Sequence, residues 1–157
     1  MRSELDVMNK DELAAWMLKE HEKIHELIEE LREKVTVAPR GDRAQWIEGL
    51  CNRFDDFAAH IRQHLKLEEQ GGYLAQVVKL RPTLSEAVEI IEHEHEELEY
   101  LLAELQTALR ELKPTDTLIF RDGCKRVQHF LTWLDRHEEH ENHIMLYAFT
   151  QDIGTAG

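Results

Sequence analysis

Phe57–Gln70 reads FAAHIRQHLKLEEQ, and Phe130–His143 reads FLTWLDRHEEHENH. Laid over one another at an offset of 73 residues, they put Phe57 on Phe130, Ile61 on Leu134, His64 on His137 and Glu68 on Glu141. Further upstream the same offset puts Cys51 on Cys124. At an offset of 74, His21 falls on His95, Ile24 on Leu98, Ile28 on Leu102 and Leu31 on Leu105. The one-residue difference fits inside a loop. An internal repeat of this length predicts two copies of a helical hairpin packed face to face. Each copy brings one histidine on its first helix and a His-x-x-x-Glu on its second.

The apolar spacing supports helices throughout. Leu13, Met17, Ile24, Ile28, Leu31 and Val35 recur every three or four residues and draw one stripe along a helix A of about 10–34. Asn9 and Glu12 form a capping-box pattern at its start. Pro39 and Gly41 mark a loop. Helix B, about 43–69, carries Ile47, Leu50, Phe54, Phe57 and Ile61, and Gly71-Gly72 ends it. A short helical piece, Tyr73–Leu80, is expected before Pro82. Thr83 and Glu86 make a second capping-box pattern for helix C, about 83–112, with Leu84, Val88, Ile91, Leu98, Leu102, Leu105 and Leu109 on its stripe. After Lys113-Pro114, helix D, about 116–149, turns Phe120, Val127, Phe130, Leu134, Ile144 and Ala148 inward. The expected fold is all-α, a single domain over 1–157 built as an up-down-up-down four-helix bundle.

Composition agrees and excludes other classes. Seven glycines and three prolines in 157 residues leave few helix breakers, and 42% apolar residues suffice for one core. A net charge of −13 repels phosphate, so neither nucleic acid nor an anionic membrane is an expected partner. No apolar run approaches the ~18 residues that span a bilayer. The first ten residues, MRSELDVMNK, lack the apolar stretch of a signal peptide, and the expected location is cytoplasmic. Two cysteines without a C-x-x-C argue against a disulfide scaffold or a sulfur-rich zinc site. Cys51 and Cys124 read as small core residues, and Trp16, Trp46 and Trp133 as packing residues.

Ten histidines are the chain's most unusual feature. Five His-x-x-x-Glu pairs occur: His25/Glu29, His64/Glu68, His93/Glu97, His95/Glu99 and His137/Glu141. Helical phase separates them, at about 100° per residue. His21 and His95 fall within the stripes of helices A and C. His64 and His137 lie beside the stripes of B and D, with Glu68 and Glu141 near their middles. His93, His129 and His143 point away. A carboxylate in the middle of an apolar stripe is costly unless it is paired or ligates a metal. Residues four apart rise about 6 Å along the helix and point the same way, so one motif can give an imidazole to one metal and a carboxylate to the gap between two. Four imidazoles with two bridging carboxylates would hold two metals and leave open positions for a small ligand. Imidazole with carboxylate suits iron or manganese, and also zinc.

At these residues the chain resembles the hemerythrin-like (HHE cation-binding) family, whose pattern is H…HxxxE…H…HxxxE. Here the pattern is carried by KEHEKIHELIEEL (His21), HIRQHLKLEEQGGYL (His64, Glu68), IEHEHEELEYLL (His95) and DRHEEHENHIMLY (His137, Glu141), over roughly Asp11–Asp152. The resemblance implies a non-haem di-iron centre with carboxylate bridges and an oxo or hydroxo bridge. It implies binding of O2, sensing of oxygen or iron, or handling of nitric oxide or peroxide. The family's oxygen carriers have a fifth histidine one turn before the helix C histidine; here that position is Ile91, and its repeat mate is Met17. His60, one turn before His64, is the preferred fifth ligand over His25, with Glu138 as the carboxylate alternative. Glu69, Tyr73 and Tyr147 follow the metal motifs and are candidates to hold ligands from behind.

Two functions follow, with the same ligands. The first is binding or sensing of O2 or a related small ligand. The second is a di-iron redox enzyme acting on nitric oxide or peroxide, or in iron release and repair, which needs a proton donor or acceptor near the open position. His25, His60 and Tyr73 are the candidates for that role. A ferritin-like oxidase is disfavoured, because Glu22/His25 and Glu92/His95 place Glu-x-x-His on helices A and C rather than on B and D. The remaining alternative is a structural bundle without metal.

Overall fold

The structure, a computed structural model, describes residues 9–37, 39–70 and 72–149. Gly71 and Asp152, used above as a helix end and as the limit of the resemblance, lie outside them, as do residues 1–8. Five α-helices follow in order: α1 (Lys10–Thr36), α2 (Arg43–Gln70), α3 (Tyr73–Leu80), α4 (Ser85–Arg110) and α5 (Thr117–Phe149). No strand occurs among the described residues. No helix among them is long and apolar enough to cross a membrane.

The helix ends are set by local chemistry. The Asn9 side chain accepts from the Glu12 N–H at 2.8 Å, and its Nδ2 donates to Glu12 Oε1 at 3.0 Å, so the first capping pattern forms. Asp42 Oδ1 accepts from the N–H groups of Ala44 and Gln45 and starts α2. Gly72, at φ 87°, turns the chain into α3. The second capping pattern does not form. Pro82–Leu84 makes a 3-10 turn, closed by Leu84 N–H on Arg81 O at 2.9 Å, and α4 begins only at Ser85. Thr83 sits within that turn, so it is not the extended residue that a cap requires.

The long helices run against their neighbours in opposite directions. Between α1 and α5, Arg32 pairs with Asp135 at 2.7 Å and Gln128 donates to Val35 O, further along one helix and back along the other. Between α2 and α4, Cys51 Sγ donates to Leu109 O, Asp55 meets Arg110 at 2.9 Å and Arg62 meets Glu99 at 3.1 Å. α1 also touches α2, and α4 touches α5.

The interior divides into two apolar clusters. One runs from Ile24 on α1 and Ile61 on α2 to Leu98 on α4 and Leu134 on α5. The other holds Leu13, Met17, Ile91 and Ile144, roofed by Tyr73, Leu74 and Val77 of α3. Every apolar stripe residue named above is buried except Leu84, which is half-buried. Between the clusters lies a layer of buried polar side chains: His21, His64, Glu68, His95, His137, Glu138 and Glu141. On α1 that layer falls between Met17 and Ile24, on α4 between Ile91 and Leu98, and on α5 between Leu134 and Ile144.

Leu134 is fully buried one helical turn from His137. Leu134→Ala is expected to lower unfolding stability by about 2–5 kcal/mol in urea titration, the range for a buried leucine that leaves a cavity.

Candidate metal centre

Four imidazoles from four helices turn their Nε2 atoms toward two carboxylates. His21 Nε2 lies 3.2 Å from Glu141 Oε2 and 3.7 Å from Glu68 Oε1. His64 Nε2 contacts Glu68 Oε1. His95 Nε2 lies 2.8 Å from Glu141 Oε1 and 3.2 Å from Glu68 Oε2. His137 Nε2 lies 2.9 Å from Glu141 Oε1. Glu68 and Glu141 therefore each reach both pairs of histidines through different oxygens. His21, His64, Glu68 and Glu141 form one group whose ligand atoms all lie within 4.8 Å of one another, and His95, His137 and Glu141 form a second. Glu141 belongs to both.

Two of the four outer nitrogens are hydrogen-bonded, and the other two face carboxylates without a well-formed hydrogen bond. Glu94 Oε1 lies 2.7 Å from His137 Nδ1, and the Asn142 side-chain oxygen meets His21 Nδ1. Glu69 Oε1 lies 3.3 Å from His95 Nδ1, and Glu20 Oε1 lies 3.7 Å from His64 Nδ1. In each case the oxygen comes from a different helix than the imidazole it faces. Such outer partners fix the tautomer and ring orientation of metal-binding histidines. Two indoles complete the walls: Trp133 stacks on His137 at 5.6 Å, and Trp16 on His64 at 6.4 Å between ring centroids. These two tryptophans pack as expected, but against candidate ligands; Trp46 packs on Phe120 instead.

The candidates beyond this set separate clearly. Glu138 is 7% exposed, and its Oε2 lies 2.9 Å from His21 Nε2. His60, expected as the fifth ligand, is not brought into either group; it is half-buried, with Nε2 3.0 Å from Glu20 Oε1. It braces the residue behind His64 instead of facing the carboxylates. The His25 side chain is 63% exposed and meets Asp135. Tyr147 is exposed under Arg81, away from the centre. Tyr73 is 1% exposed, and its hydroxyl makes no hydrogen bond within the protein. Cys124 is buried and Cys51 half-buried, both as free thiols.

The electrostatics follow from this crowding. Burial alone would lower the four imidazoles, but the carboxylates outweigh it: Glu68 and Glu20 raise His64 to about 10, Glu141 and Glu68 raise His95 to about 11, and Glu141 raises His137 to about 9. His21 is raised by Glu138, Glu141 and Glu68 against the same desolvation. Burial and the neighbouring Glu141 push Glu68 up, yet His64 and His21 hold it below the ordinary carboxylate value. Glu141 is likewise held low by His137, His21 and His95 despite its burial. Burial, then the charges of Glu141, Glu68 and Glu138, holds the Tyr73 phenol well above its ordinary value, so it stays protonated.

The donor set could hold a metal ion. Nε2 of His21, His64 and His137, both oxygens of Glu68 and one oxygen each of Glu138 and Glu141 are buried without a well-formed hydrogen bond. They face one another at contact distance, an arrangement that favours a shared positive charge. No protein-family model matches this chain, and no curated protein or solved structure does either.

Without metal, protonated imidazoles must balance the carboxylates, and stability becomes pH-dependent. The raised imidazoles stabilise the fold below their ordinary value near 6.5 and lose that contribution as the pH rises through about 9 to about 11. The lowered carboxylates contribute above their ordinary value of 4.5 and lose it as the pH falls through their folded values. Chelator-treated protein is expected to show its highest Tm between about pH 5 and about pH 6.5, with a decline on both sides. A Tm that held flat to about pH 11 would contradict this balance.

Proposed function

We propose that this chain is a hemerythrin-like four-helix bundle, with up-down-up-down topology, holding two iron ions and binding O2 or a related small ligand. The observation that carries the reading is the orientation of the four imidazoles. The inner nitrogens of all four converge on Glu68 and Glu141, while the outer nitrogens of His21 and His137 hydrogen-bond an oxygen of another helix and those of His64 and His95 face a carboxylate of one. A core histidine kept for packing needs neither half of that arrangement.

On this reading His21 and His64 hold one metal, His95 and His137 the other, and Glu68 and Glu141 span both. Glu138 adds an oxygen on the His21 side, replacing His60 as the extra ligand. Imidazole with carboxylate and no sulfur suits iron, and zinc or manganese would take the same donors. Bound iron would supply a redox-active Lewis acid able to take O2, nitric oxide or peroxide. A cytoplasmic setting belongs to the same reading, supported by the free thiols of Cys51 and Cys124.

A redox enzyme is the second reading, favoured by Tyr73. Its proton stays on the phenol oxygen, buried beside the carboxylates with no partner to hold it. Such a group is placed to donate a hydrogen bond or a proton to a ligand in the centre.

Protein purified without oxygen and loaded with Fe(II) is expected to bind about two irons per chain, two being the number one bridged pair requires. Near-ultraviolet absorption should appear on exposure to O2. Reversal of the bands on removing O2 supports binding; irreversible oxidation with peroxide or nitric oxide turnover supports the enzyme. Glu141→Ala should lose most of the iron. Protein that stays colourless and iron-free after reconstitution refutes the proposal. Tyr73→Phe should leave metal-free stability unchanged or higher by up to about 1 kcal/mol, since no protein hydrogen bond is lost. The enzyme reading further requires this variant to lower turnover.

A further inference from the structure

The internal repeat relates two surface grooves that both reach the polar layer. One, of about 760 Å³, lies between α1 and α5 and ends on His21, Glu138 and Asn142. The other, of about 360 Å³, lies between α2 and α4 and ends on His95, Leu65 and Glu69. Applying the repeat offset turns Asp135, Glu138 and Glu139 of the first into Arg62, Leu65 and Lys66 of the second. The first groove is lined by four acids, Glu22, Asp135, Glu138 and Glu139, with no lysine or arginine among its lining residues. Arg32 pairs with Asp135 from beyond the lining. The second has three acids, Glu69, Glu96 and Glu99, offset by two cations, Arg62 and Lys66, and the apolar Leu65 takes the place of Glu138.

Glu138 distinguishes the first groove from a solvated acidic face. It is 7% exposed, and its Oε2 is buried without a well-formed hydrogen bond while lying 2.9 Å from His21 Nε2. A carboxylate in that state, at the bottom of an acidic groove and beside a candidate ligand, is built to receive a cation.

We propose that the groove between α1 and α5 is the route by which a divalent cation reaches the centre, with Glu22 and Glu139 drawing it in and Glu138 receiving it at the floor. The inference rests on the metal-centre reading. A concave surface lined by one sign of charge concentrates counter-ions and speeds their association. At the floor, a carboxylate oxygen exchanges for one of the cation's waters, and the imidazole of His21 stands next in line. The α2–α4 groove is a weaker route: Arg62 and Lys66 offset much of the charge of Glu69, Glu96 and Glu99, and Leu65, with no donor atom, stands where Glu138 stands in the first.

The test is the rate of Co(II) uptake by the chelator-treated full chain, followed by cobalt absorption, with bound cobalt counted at the end. The double variant Glu22→Gln/Glu139→Gln removes rim charge without touching a proposed ligand. It is expected to take up cobalt about five- to ten-fold more slowly at low salt, the size of a steering effect, and to reach the same final content. The gap should narrow at high salt, where such fields are screened. The mirror variant Glu96→Gln/Glu99→Gln should load at the parental rate. Glu138→Leu, which copies the other groove, should load more slowly and hold cobalt more weakly. A rim variant that loads at the parental rate, or a mirror variant slowed equally, overturns the route while leaving the metal centre standing. A chain that takes up no cobalt overturns the centre and the route together.

Discussion

Two carboxylates buried side by side in an apolar interior are the constraint on which this structure depends. Glu68 and Glu141 are 0% and 2% exposed, and each burial alone would drive the group toward its neutral form. They stay ionised because four imidazoles surround them. The polar layer divides the interior into its two apolar clusters, and the helices must meet so that all four histidines reach the same point. Residues that look peripheral in the sequence serve that meeting. Glu94 and Asn142 take hydrogen bonds from outer nitrogens, and Trp16 and Trp133 flank two rings. Removing one carboxylate would leave charged imidazoles without a partner, a change that commonly costs about 3–5 kcal/mol in buried pairs.

Much of this was legible in the chain. The apolar stripes located the four long helices to within a few residues, because three- and four-residue spacing over many turns admits little else. The repeat selected His21, His64, Glu68, His95, His137 and Glu141, which phase alone would have left among several similar pairs. The same offsets also relate Glu20 to Glu94 and Glu69 to Asn142, the residues behind the imidazoles. Only Glu69 was read that way, since the others sit on helix faces that look solvent-directed when each helix is taken alone.

Helical phase misplaces His60. His60 lies one turn from His64, and a full turn on an α-helix overshoots by about 40°. That rotation carries it past the centre toward α1, where Glu20 holds it. Glu138, the carboxylate alternative, shows the converse. One residue beyond His137, it lies about 100° off that direction and off the stripe, but α1 packs over it and brings His21 to its oxygen. Phase on one helix does not say which neighbour covers its flank. Thr83 failed for a local reason, because Pro82 draws it into a tight turn.

Two of the departures from twofold symmetry lie beside the imidazoles of His21 and His95. On the His21 side, Glu138 faces inward and Asn142 stands behind the imidazole; on the His95 side, Leu65 takes the first place and Glu69 the second. Each side thus carries one extra carboxylate, inside on one and outside on the other. The sum of charge is the same, but its action is not. An inner carboxylate can occupy a coordination position, whereas an outer one makes the imidazole a stronger donor and leaves that position free. The two sides would therefore offer a metal unequal donors, with one more inward carboxylate beside His21 than beside His95. The two ends of the polar layer are chemically unlike, with a buried carboxylate facing the inner imidazole nitrogen at one and an apolar side chain in that place at the other.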